Sequence, residues 1–404
     1  MNWIRFILPA LVLTCSSWSS IFAQTWTLTS APSTNWTSVA SSADGSKLVA
    51  LAGVEYTGGA IFLSTNSGST WTPSDAPSSN WVGAASSADG TKLVAVVGYY
   101  AGPIYVSTNS GLSWTQSGAE STNAWVSVAS SADGSILVAA ATPRHYIPGE
   151  IDVSTNGGAT WMRPIFPSYD NWSSVASSAD GITLAAASVN SVYVSTNSGV
   201  AWTNLPVPAG AIASSADGTR LVAVASDPAT GNPTGRISIS TNSGVTWTVT
   251  SVPGNEWTSV ASSADGSKLA AVANNSPIYT STNAGATWIS VSVVPNVPWV
   301  SVASSADGSK LVAATSPTYY GNPGQIYTLQ TTPTPTLNIS QDVKSLVISW
   351  IIPSTSFGLQ QNPDLNPTNW TDLSVIPVLD LTKLQHRVTI PVPVGTMFYR
   401  LKSS

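Results

Sequence analysis

Seven copies of the phrase Ser-Ser-Ala-Asp-Gly punctuate the first 320 residues of this chain and constrain its fold more than any other feature. Their aspartates are Asp44, Asp89, Asp133, Asp180, Asp217, Asp265 and Asp307, at intervals of 37 to 48 residues. A second phrase, Ser-Thr-Asn-x-Gly-x-x-Trp, follows each of the first six copies and ends at Trp71, Trp114, Trp161, Trp202, Trp247 and Trp288. A period of about 40–50 residues with short alternating strands is typical of propeller blades. The repeats therefore predict an all-β, seven-bladed β-propeller over residues 24–330.

The first repeat shows how each blade is expected to fold. Residues 36–42 are predicted to form an inner strand, and Ser42-Ala43-Asp44-Gly45-Ser46 a hairpin turn, because Asp tolerates tight turns and Gly supplies positive φ. Residues 47–52 then return as a second strand, residues 61–64 form a third, and the Asn-Ser-Gly turn leads into a fourth at residues 70–72. The repeated tryptophans are expected to be core residues. At the start of the fifth repeat Ala209 replaces the usual Trp and the preceding loop is shorter, which marks a local asymmetry.

The two ends of the repeat region indicate how the ring closes. The seventh repeat has three strand segments but no Thr-Trp after Tyr327, whereas an orphan Thr25-Trp26-Thr27 precedes the first repeat. Residues 25–28 are therefore predicted to supply the fourth strand of the last blade. A closed ring also hides the sheet edges that would otherwise pair with other chains.

The N-terminus reads as a secretory signal over residues 1–23. Arg5 precedes the apolar run 6–13, and the small residue Ala23 stands at the expected cleavage point. The run is too short to span a bilayer. A second interpretation, a lipoprotein signal acylated at Cys15, is disfavoured by Thr14 before that cysteine. We therefore expect a secreted, periplasmic or cell-surface protein without a transmembrane span.

Composition narrows the classes of function. Only 8% of the residues are charged, against roughly 25% in an average soluble protein, and the formal net charge is −5. An acidic chain with a pI near 4.9 is unsuited to bind nucleic acid through a basic patch. A calcium site needs several converging oxygens, whereas the repeated aspartates are spread around a ring. No metal and no cofactor are therefore expected.

The second phrase resembles the Asp-box, or BNR repeat, of sialidases, sortilin-type receptors, xyloglucan-cleaving hydrolases and photosystem-assembly propellers. This chain carries Asn where Asp is usual, at Asn66, Asn109, Asn156, Asn197, Asn242 and Asn283. The resemblance covers about residues 25–330 and implies the propeller fold. It leaves function open, because the family contains enzymes, receptors and assembly factors. The boxes themselves are interpreted as structural, with the Asn side chain bonding its own turn.

Strand order places two kinds of turn on one rim of the ring: the Asp-Gly turns and the turns of the second phrase, which we call Asn-box turns. It places the longer connections on the other rim. Eight acids fall in or beside the longer connections: Glu55, Asp75, Glu120, Glu150, Asp152, Asp170, Asp227 and Glu256. Loops on rigid scaffolds commonly carry function. Tyr, Asn, Gly and carboxylates there are typical of sugar or protein recognition, although solvated loops with locally packed tyrosines are the plain alternative. The candidate ligand-binding residues are Glu55, Tyr56, Tyr99, Tyr100, Arg144, His145, Tyr146, Glu150, Tyr169, Asp170, Asp227, Glu256, Tyr319 and Tyr320.

Two enzymatic interpretations compete with this one. Sialidase chemistry implies three arginines on the substrate carboxylate, but only Arg144, Arg163 and Arg236 lie near the rim, and the family's Arg-Ile-Pro signature is absent. A glycoside hydrolase needs two carboxylates across a cleft. The candidates for that role are Asp152, Asp170, Asp227 and Glu256.

The remainder of the chain is predicted to be a Thr/Pro linker, residues 331–336, followed by a small β-sandwich over residues 337–404. The sandwich resembles C-terminal modules of secreted proteins from verrucomicrobial and planctomycete-type bacteria, which implies a bacterial exported protein. The sequence as a whole predicts a non-catalytic scaffold that binds a glycan or an extracellular protein. The alternatives are the hydrolase and a structural adhesion component of the cell surface.

Overall fold

A computed structural model of the chain shows an all-β molecule. It describes residues 26–53, 58–99, 101–143, 149–164, 170–225, 235–291, 297–317, 321, 323–330, 337–341, 345–351, 357–363, 369–380, 383–393 and 397–403. Within these ranges the strands form nine antiparallel sheets, seven before residue 331 and two after it. The predicted β-propeller is confirmed, and each sequence repeat corresponds to one of the first seven sheets.

The first two strands of each blade line and surround the centre of the ring. The first strands are β2 (Trp36–Ser41), β6 (Trp81–Ser86), β10 (Ala124–Ser130), β13 (Trp172–Ser177), β17 (Ala211–Ser214), β21 (Trp257–Ser262) and β25 (Trp299–Ser304). The second strands are β3 (Leu48–Ala52), β7 (Leu93–Val97), β11 (Leu137–Thr142), β14 (Leu184–Ser188), β18 (Leu221–Val224), β22 (Leu269–Ala273) and β26 (Lys310–Thr315). The second strands are almost wholly buried on both faces, because each is covered by the neighbouring blades.

The outer strands are shorter. The third strands are β4 (Ile61–Ser64), β8 (Ile104–Ser107), β12 (Glu150–Ser154), β15 (Val192–Ser195), β19 (Ile237–Ser240), β23 (Ile278–Ser281) and β27 (Ile326–Gln330). The fourth strands are β5 (Thr72–Pro73), β9 (Thr115–Gln116), β16 (Thr203–Leu205), β20 (Thr248–Val249) and β24 (Ile289–Val291). In the third blade a single bridge, Val153 to Met162, stands in this place. The fourth strand of a blade begins after the box tryptophan, slightly later than the sequence predicted.

The ring is closed by the N-terminal strand. Strand β1 (Trp26–Leu28) pairs antiparallel with β27, so that Trp26 lies opposite Leu329 and Leu28 opposite Tyr327. This pairing completes the seventh blade, as predicted from the orphan Thr-Trp segment. A strand from the start of the chain thus holds the last blade.

A second closure runs through the Asp-Gly turns. The amide of the turn alanine in each blade donates to the carbonyl of the corresponding alanine in the next blade, at 2.7–2.8 Å. The cycle passes through Ala43, Ala88, Ala132, Ala179, Ala216, Ala264 and Ala306 and returns to Ala43. Because every buried amide in this cycle finds its partner in another blade, the seven turns form one hydrogen-bonded ring.

The Asp-Gly and Asn-box turns are structural, as expected. Asp44 accepts hydrogen bonds from Ser42 Oγ at 2.5 Å and from the Ser46 amide at 2.9 Å, and Gly45 has a φ of 65°. The Asn66 Oδ1 likewise accepts the Thr70 amide at 2.9 Å. The Ser67 amide then bonds the Ser46 carbonyl at 2.8 Å, which joins the two turns of the blade. Both turns therefore lie on one rim, which we call the turn rim.

The first-strand tryptophans form the cores between blades. Trp36, Trp81, Trp125, Trp172, Trp257 and Trp299 are each no more than 2% exposed. In five blades an aromatic ring from the third strand meets this Trp edge-on at centroid distances of 5.0–5.5 Å, a favourable geometry for aromatic pairs. The tryptophans of the six boxes are only partly buried.

The residues after 336 form the two sheets of the expected small β-sandwich. One sheet has the order β28 (Asn338–Gln341), β29 (Ser345–Ile351), β33 (Gln385–Pro391), β32 (Val378–Asp380). The other has the order β31 (Thr371–Asp372), β30 (Phe357–Asn362), β34 (Phe398–Ser403). Ile348, Trp350, Leu359 and Val388 pack between them and are nearly inaccessible to solvent. The linker 331–336 and the leader 1–23, including Cys15, lie outside the described residues.

Candidate functional site

The rim opposite the turn rim, which we call the loop rim, carries the connections between second and third strands and between blades. Ten of the fourteen predicted ligand-binding residues lie outside the described part of the chain: Glu55, Tyr56, Tyr100, Arg144, His145, Tyr146, Tyr169, Asp227, Tyr319 and Tyr320. The other four are Tyr99, Glu150, Asp170 and Glu256. Their placement decides what the loop rim brings together.

Three of these four residues stand apart from one another. Tyr99 is 60% exposed and adopts a φ of 73°, an uncommon conformation for a residue with a side chain. Asp170 precedes the fourth blade and is partly buried. Glu256 precedes the sixth blade, is exposed, and accepts a hydrogen bond from Asn274 Nδ2 at 3.1 Å. Glu150 belongs to the third blade, three blades away from Glu256, and it forms part of a cluster.

The cluster is built on the third blade. Glu150 and Asp152 are two residues apart in β12, so their side chains leave the same face of the sheet. Arg163 follows Met162, which is bridged to Val153, and it therefore lies beside both acids. Its Nε and Nη2 reach the two oxygens of Asp152 at 2.9 and 3.2 Å, and its Nη1 reaches Glu150 Oε1 at 2.8 Å. Glu120, from the connection that enters this blade, approaches Nη2 at 3.4 Å.

Burial divides the cluster into an inner and an outer part. The side chain of Asp152 is 4% exposed and that of Glu150 14%, whereas Arg163 and Glu120 are 37% and 65% exposed. The paired hydrogen bonds from one guanidinium to Asp152 are of the charge-assisted, bidentate kind. Asp152 is therefore an inner carboxylate fixed by Arg163, and Glu120 faces solvent.

The electrostatics follow from this arrangement. Burial raises the pKa of the Glu150 carboxyl; Arg163 opposes that shift, and the charges of Asp152 and Glu120 reinforce it. The hydrogen bonds and charges of the carboxylates, above all Asp152, raise the pKa of Arg163 above its ordinary value, so the guanidinium stays charged. Three carboxylates around one guanidinium leave an excess of negative charge at this part of the loop rim.

Three of the four hydrolase candidates, Asp152, Asp170 and Glu256, are among the described residues. Asp227 lies outside them, and Glu256 and Asp170 belong to different blades. Glu150 has the raised pKa expected of a general acid. However, the carboxylate beside it, Asp152, is 3% exposed and bound through both oxygens to Arg163. A buried carboxylate whose two oxygens both accept hydrogen bonds from an arginine offers no free face to a sugar or to a water nucleophile.

Sequence reasoning did not select Arg163 and Glu120 as site residues. A signal was available in the alignment of the seven repeats. The position of Asp152 holds an aromatic residue in five blades, namely Phe62, Tyr105, Tyr193, Tyr279 and Tyr327. In the third blade this position is an acid, Asp152, and the residue opposite it in the following strand segment is an arginine, Arg163. Both members of this cross-strand pair therefore depart from the repeat. Comparison of the blades with one another would have marked the third blade.

The described residues also bear on metals and membranes. Within them, no group of three or more His, Cys, Asp or Glu side chains is placed to hold a metal ion. The same part of the chain contains no helix with the length and hydrophobicity needed to cross a bilayer.

Comparisons with known proteins show similarity at the level of the fold. No family model and no curated protein matches the chain. The structure of YCF48 from Cyanidioschyzon merolae is similar with a TM-score of 0.56 and 15% identity, covering 76% of this chain and 98% of that one. A structure of YCF48 bound to D1 peptide has a TM-score of 0.55 and 15% identity, covering 77% and 96%. The Cps50 (Swd1) β-propeller domain of Myceliophteria thermophila gives 0.57 and 12%, covering 76% and 100%.

Proposed function

We propose that this chain is an exported, non-catalytic scaffold that binds a protein partner through the loop rim of its propeller. The observation that carries the proposal is the charge of that rim. Its described residues include six acids and two arginines: Asp75, Glu120, Glu150, Asp152, Asp170 and Glu256, with Arg163 and Arg236. One of the two arginines is already shared by three of the acids. A partner with a basic segment complements this surface.

The turn rim is closer to charge balance, because five basic residues accompany its seven aspartates, and several of these basic side chains contact the next blade. Lys92 Nζ donates to the Asp133 carbonyl and Lys268 Nζ to the Asp307 carbonyl of the next blade, each at 2.8 Å. Lys47 Nζ reaches Ser110 Oγ of the next blade at 3.2 Å. These contacts bind blades to one another. The seven turn aspartates exceed the five basic residues of the turn rim by two, whereas the described acids of the loop rim exceed its arginines by four. The larger excess of negative charge is therefore on the loop rim, where it would steer a basic partner towards the site.

Two further points support a binding scaffold. The interlocked ring holds the loop rim on a rigid base, the usual setting for recognition loops. YCF48, a propeller of similar fold, is described with a peptide bound. The leader-like residues 1–23 are the reason to place the partner outside the cytoplasm.

The test is a random peptide display library screened at low ionic strength against the purified propeller-containing chain. We expect enriched peptides to be rich in Lys and Arg, and we expect their affinity to fall as salt is added. Glu120→Lys, on the loop rim, should weaken binding about tenfold, the effect of roughly 1.4 kcal/mol. The matched control is Ser69→Lys on the turn rim, where Ser69 is exposed.

The same protein should be applied to a glycan array with a hydrolysis assay of any bound sugar. Peptides that bind both variants equally would contradict the proposed surface. If the protein binds glycans but no peptides, and Tyr99→Ala abolishes glycan binding, the loop rim would be a carbohydrate-binding site. Cleavage of a bound glycan would refute a non-catalytic role.

A further inference from the structure

The mouth of the central channel on the turn rim is the second feature of the molecule that suggests binding. A cavity of about 160 Å³ lies there, lined by serine and alanine residues that recur in each blade and by Leu384 of the C-terminal sandwich. The serine hydroxyls, such as Ser41 Oγ, donate to the carbonyl of the following residue at about 2.9 Å. Alanine methyl groups therefore share the lining of the mouth with serine hydroxyls whose protons are already used.

The repeats provide an internal reference for exposure at this mouth. The turn alanines of the first and seventh blades, Ala43 and Ala306, are 8% and 5% exposed. The alanines at the same position in the other five blades are only partly buried. Asp44 and Asp307 are likewise half-buried, whereas the other five turn aspartates are exposed. Because the seven turns share their sequence and their hydrogen bonds, this difference in exposure shows that another part of the molecule covers the turns of the seventh and first blades.

Leu384 supplies part of that cover. It stands between strands β32 and β33 and packs against Ala43 and Ala306, with Ala88 and Ala264 on either side. Its φ of 53° is in the left-handed region, which a leucine rarely adopts. The neighbouring Lys383 is exposed, and its amide donates to Asp380 Oδ1 at 3.2 Å. The hairpin thus holds a leucine in an uncommon conformation at a point where the propeller presents methyl groups.

We propose that the channel mouth on the turn rim is a docking surface for the chain's own C-terminal sandwich, with Leu384 as the anchor. The sandwich sits over the first and seventh blades, and the leucine covers part of the channel mouth on this side. This proposal rests on apolar contact and does not depend on what binds at the loop rim.

Disulfide cross-linking uses the symmetry of the ring as a control. In a chain with Cys15→Ser, Leu384→Cys is combined either with Ala43→Cys or with Ala179→Cys, the same turn position in the fourth blade. We expect mild oxidation to link the 43/384 pair at least tenfold faster than the 179/384 pair, with the linked peptides identified by mass spectrometry. Equal rates, or no link in either chain, would overturn the proposal.

Small-angle X-ray scattering tests the anchor itself. Leu384→Asp places a charge against the alanine methyl groups, and we expect the radius of gyration of the full chain to increase. Lys383→Asp, one residue away and exposed, should leave it unchanged. Unchanged near-ultraviolet circular dichroism in both variants would show that the domains remain folded. A Leu384→Asp variant with the wild-type scattering profile would refute the role of Leu384 as the anchor.

Discussion

The third and fourth blades solve the same packing problem with different chemistry. In the fourth blade, Tyr193 meets Trp172 edge-on at 5.0 Å, and its hydroxyl accepts a hydrogen bond from Asn204 at 3.0 Å. Tyr193 and Asn204 are paired across strands β15 and β16. In the third blade the corresponding positions hold Asp152 and Arg163, joined by two hydrogen bonds. The comparison shows that the repeat tolerates an ion pair in place of a hydrogen-bonded Tyr–Asn pair when both members change together.

The fifth blade extends this comparison. There the first-strand Trp is replaced by Ala209 and the third-strand aromatic by Ser238, so both halves of the contact are missing together. Both replacements are buried. Three blades therefore show three matched solutions at one position of the repeat. Each solution compensates for its change, because an uncompensated one leaves a void or an unpaired charge. The third blade keeps Trp125 and pairs Asp152 with Arg163, whereas the fifth replaces both members of the Trp–aromatic contact.

The largest loss of stability is expected when the fourth blade receives the acid of the third blade without its arginine, in the variant Tyr193→Asp. Tyr193 is 1% exposed, so Tyr193→Asp removes the ring from Trp172 and buries a carboxylate that has no arginine beside it. Loss of a buried aromatic side chain typically costs about 3–5 kcal/mol, and an unpaired buried charge adds to it. We expect the free energy of unfolding in urea to fall by about 5 kcal/mol or more.

The matched variant adds the other member of the pair. Tyr193→Asp with Asn204→Arg recreates the third-blade contact and should recover at least about 2 kcal/mol of the loss, since the charge regains its partner. If the protein with Tyr193→Asp alone is too unstable to purify, recovery of soluble protein by the double variant serves the same purpose. If the single and double variants lose the same free energy of unfolding, the arginine does not compensate for the buried acid in the fourth blade.

A smaller effect is expected when the ion pair of the third blade is broken. Arg163→Met leaves Asp152 buried and unpaired, a change that typically costs about 3–5 kcal/mol. Because the Arg163 side chain is 37% exposed and water can partly replace it, we expect about 3 kcal/mol, at the lower end of that range, in urea unfolding. Arg236→Met, at an exposed arginine of the same rim, is the control and should cost less than about 0.5 kcal/mol.

Transplanting the fourth-blade residues sharpens the result. Glu150→Ser, Asp152→Tyr and Arg163→Asn together introduce the residues found at Ser191, Tyr193 and Asn204. We expect this triple variant to be more stable than Arg163→Met, since it leaves no unpaired buried charge and its asparagine can donate to the tyrosine hydroxyl, as Asn204 does to Tyr193. A triple variant less stable than Arg163→Met would show that the third blade cannot accept the ring.

The sequence was sufficient to predict the fold because the repeats recur in register. Glycine at a fixed turn position, alternating β-branched residues and a surplus Thr-Trp segment at residues 25–28 each constrain the backbone locally. Together they predicted the blades, the rim that carries the turns and the closing strand β1. The hydrogen-bonded ring of alanine amides could not be predicted, because it depends on distances between blades that no segment encodes by itself.

The candidate site was predicted only in part, for a related reason. Glu150 was selected from its position in a loop-rim connection, but its partners come from another connection and another strand segment. Arg163 lies 11 residues beyond Asp152 in sequence, and Glu120 lies 43 residues from Arg163. Side-chain contacts of this kind follow from the cross-strand register. They become visible from sequence only when the blades are aligned and the third is seen to depart from the others.

The smallest expected effect is on the pH dependence of stability, in which the carboxylates of the turns and Glu150 of the cluster have opposite signs. In the turns, burial raises the pKa of Asp44, but hydrogen bonds from Ser42 and Ser46 outweigh it and the pKa is lowered overall. Such a carboxylate stabilises the fold above its unfolded-state pKa, near 3.8, and this stabilisation is lost as pH falls through the lower folded-state pKa. Glu150 has the opposite sign: its raised pKa favours the fold below its ordinary value of 4.5, and that contribution is lost as pH rises.

Glu150→Gln should therefore gain stability relative to the wild type as pH rises from 4.5 to neutrality, since the glutamine has no charge to desolvate. The gain is expected to stay below about 1 kcal/mol, because the charge of Arg163 offsets much of the effect of burial on Glu150 in the wild type. Urea midpoints of both proteins between pH 4 and 8 measure it, and the turn aspartates cancel because both proteins contain them. A difference that shrinks with rising pH would mean that attraction to Arg163 outweighs burial at Glu150. The third blade would then owe its stability to the charge of Glu150 as well as to the buried pair beneath it.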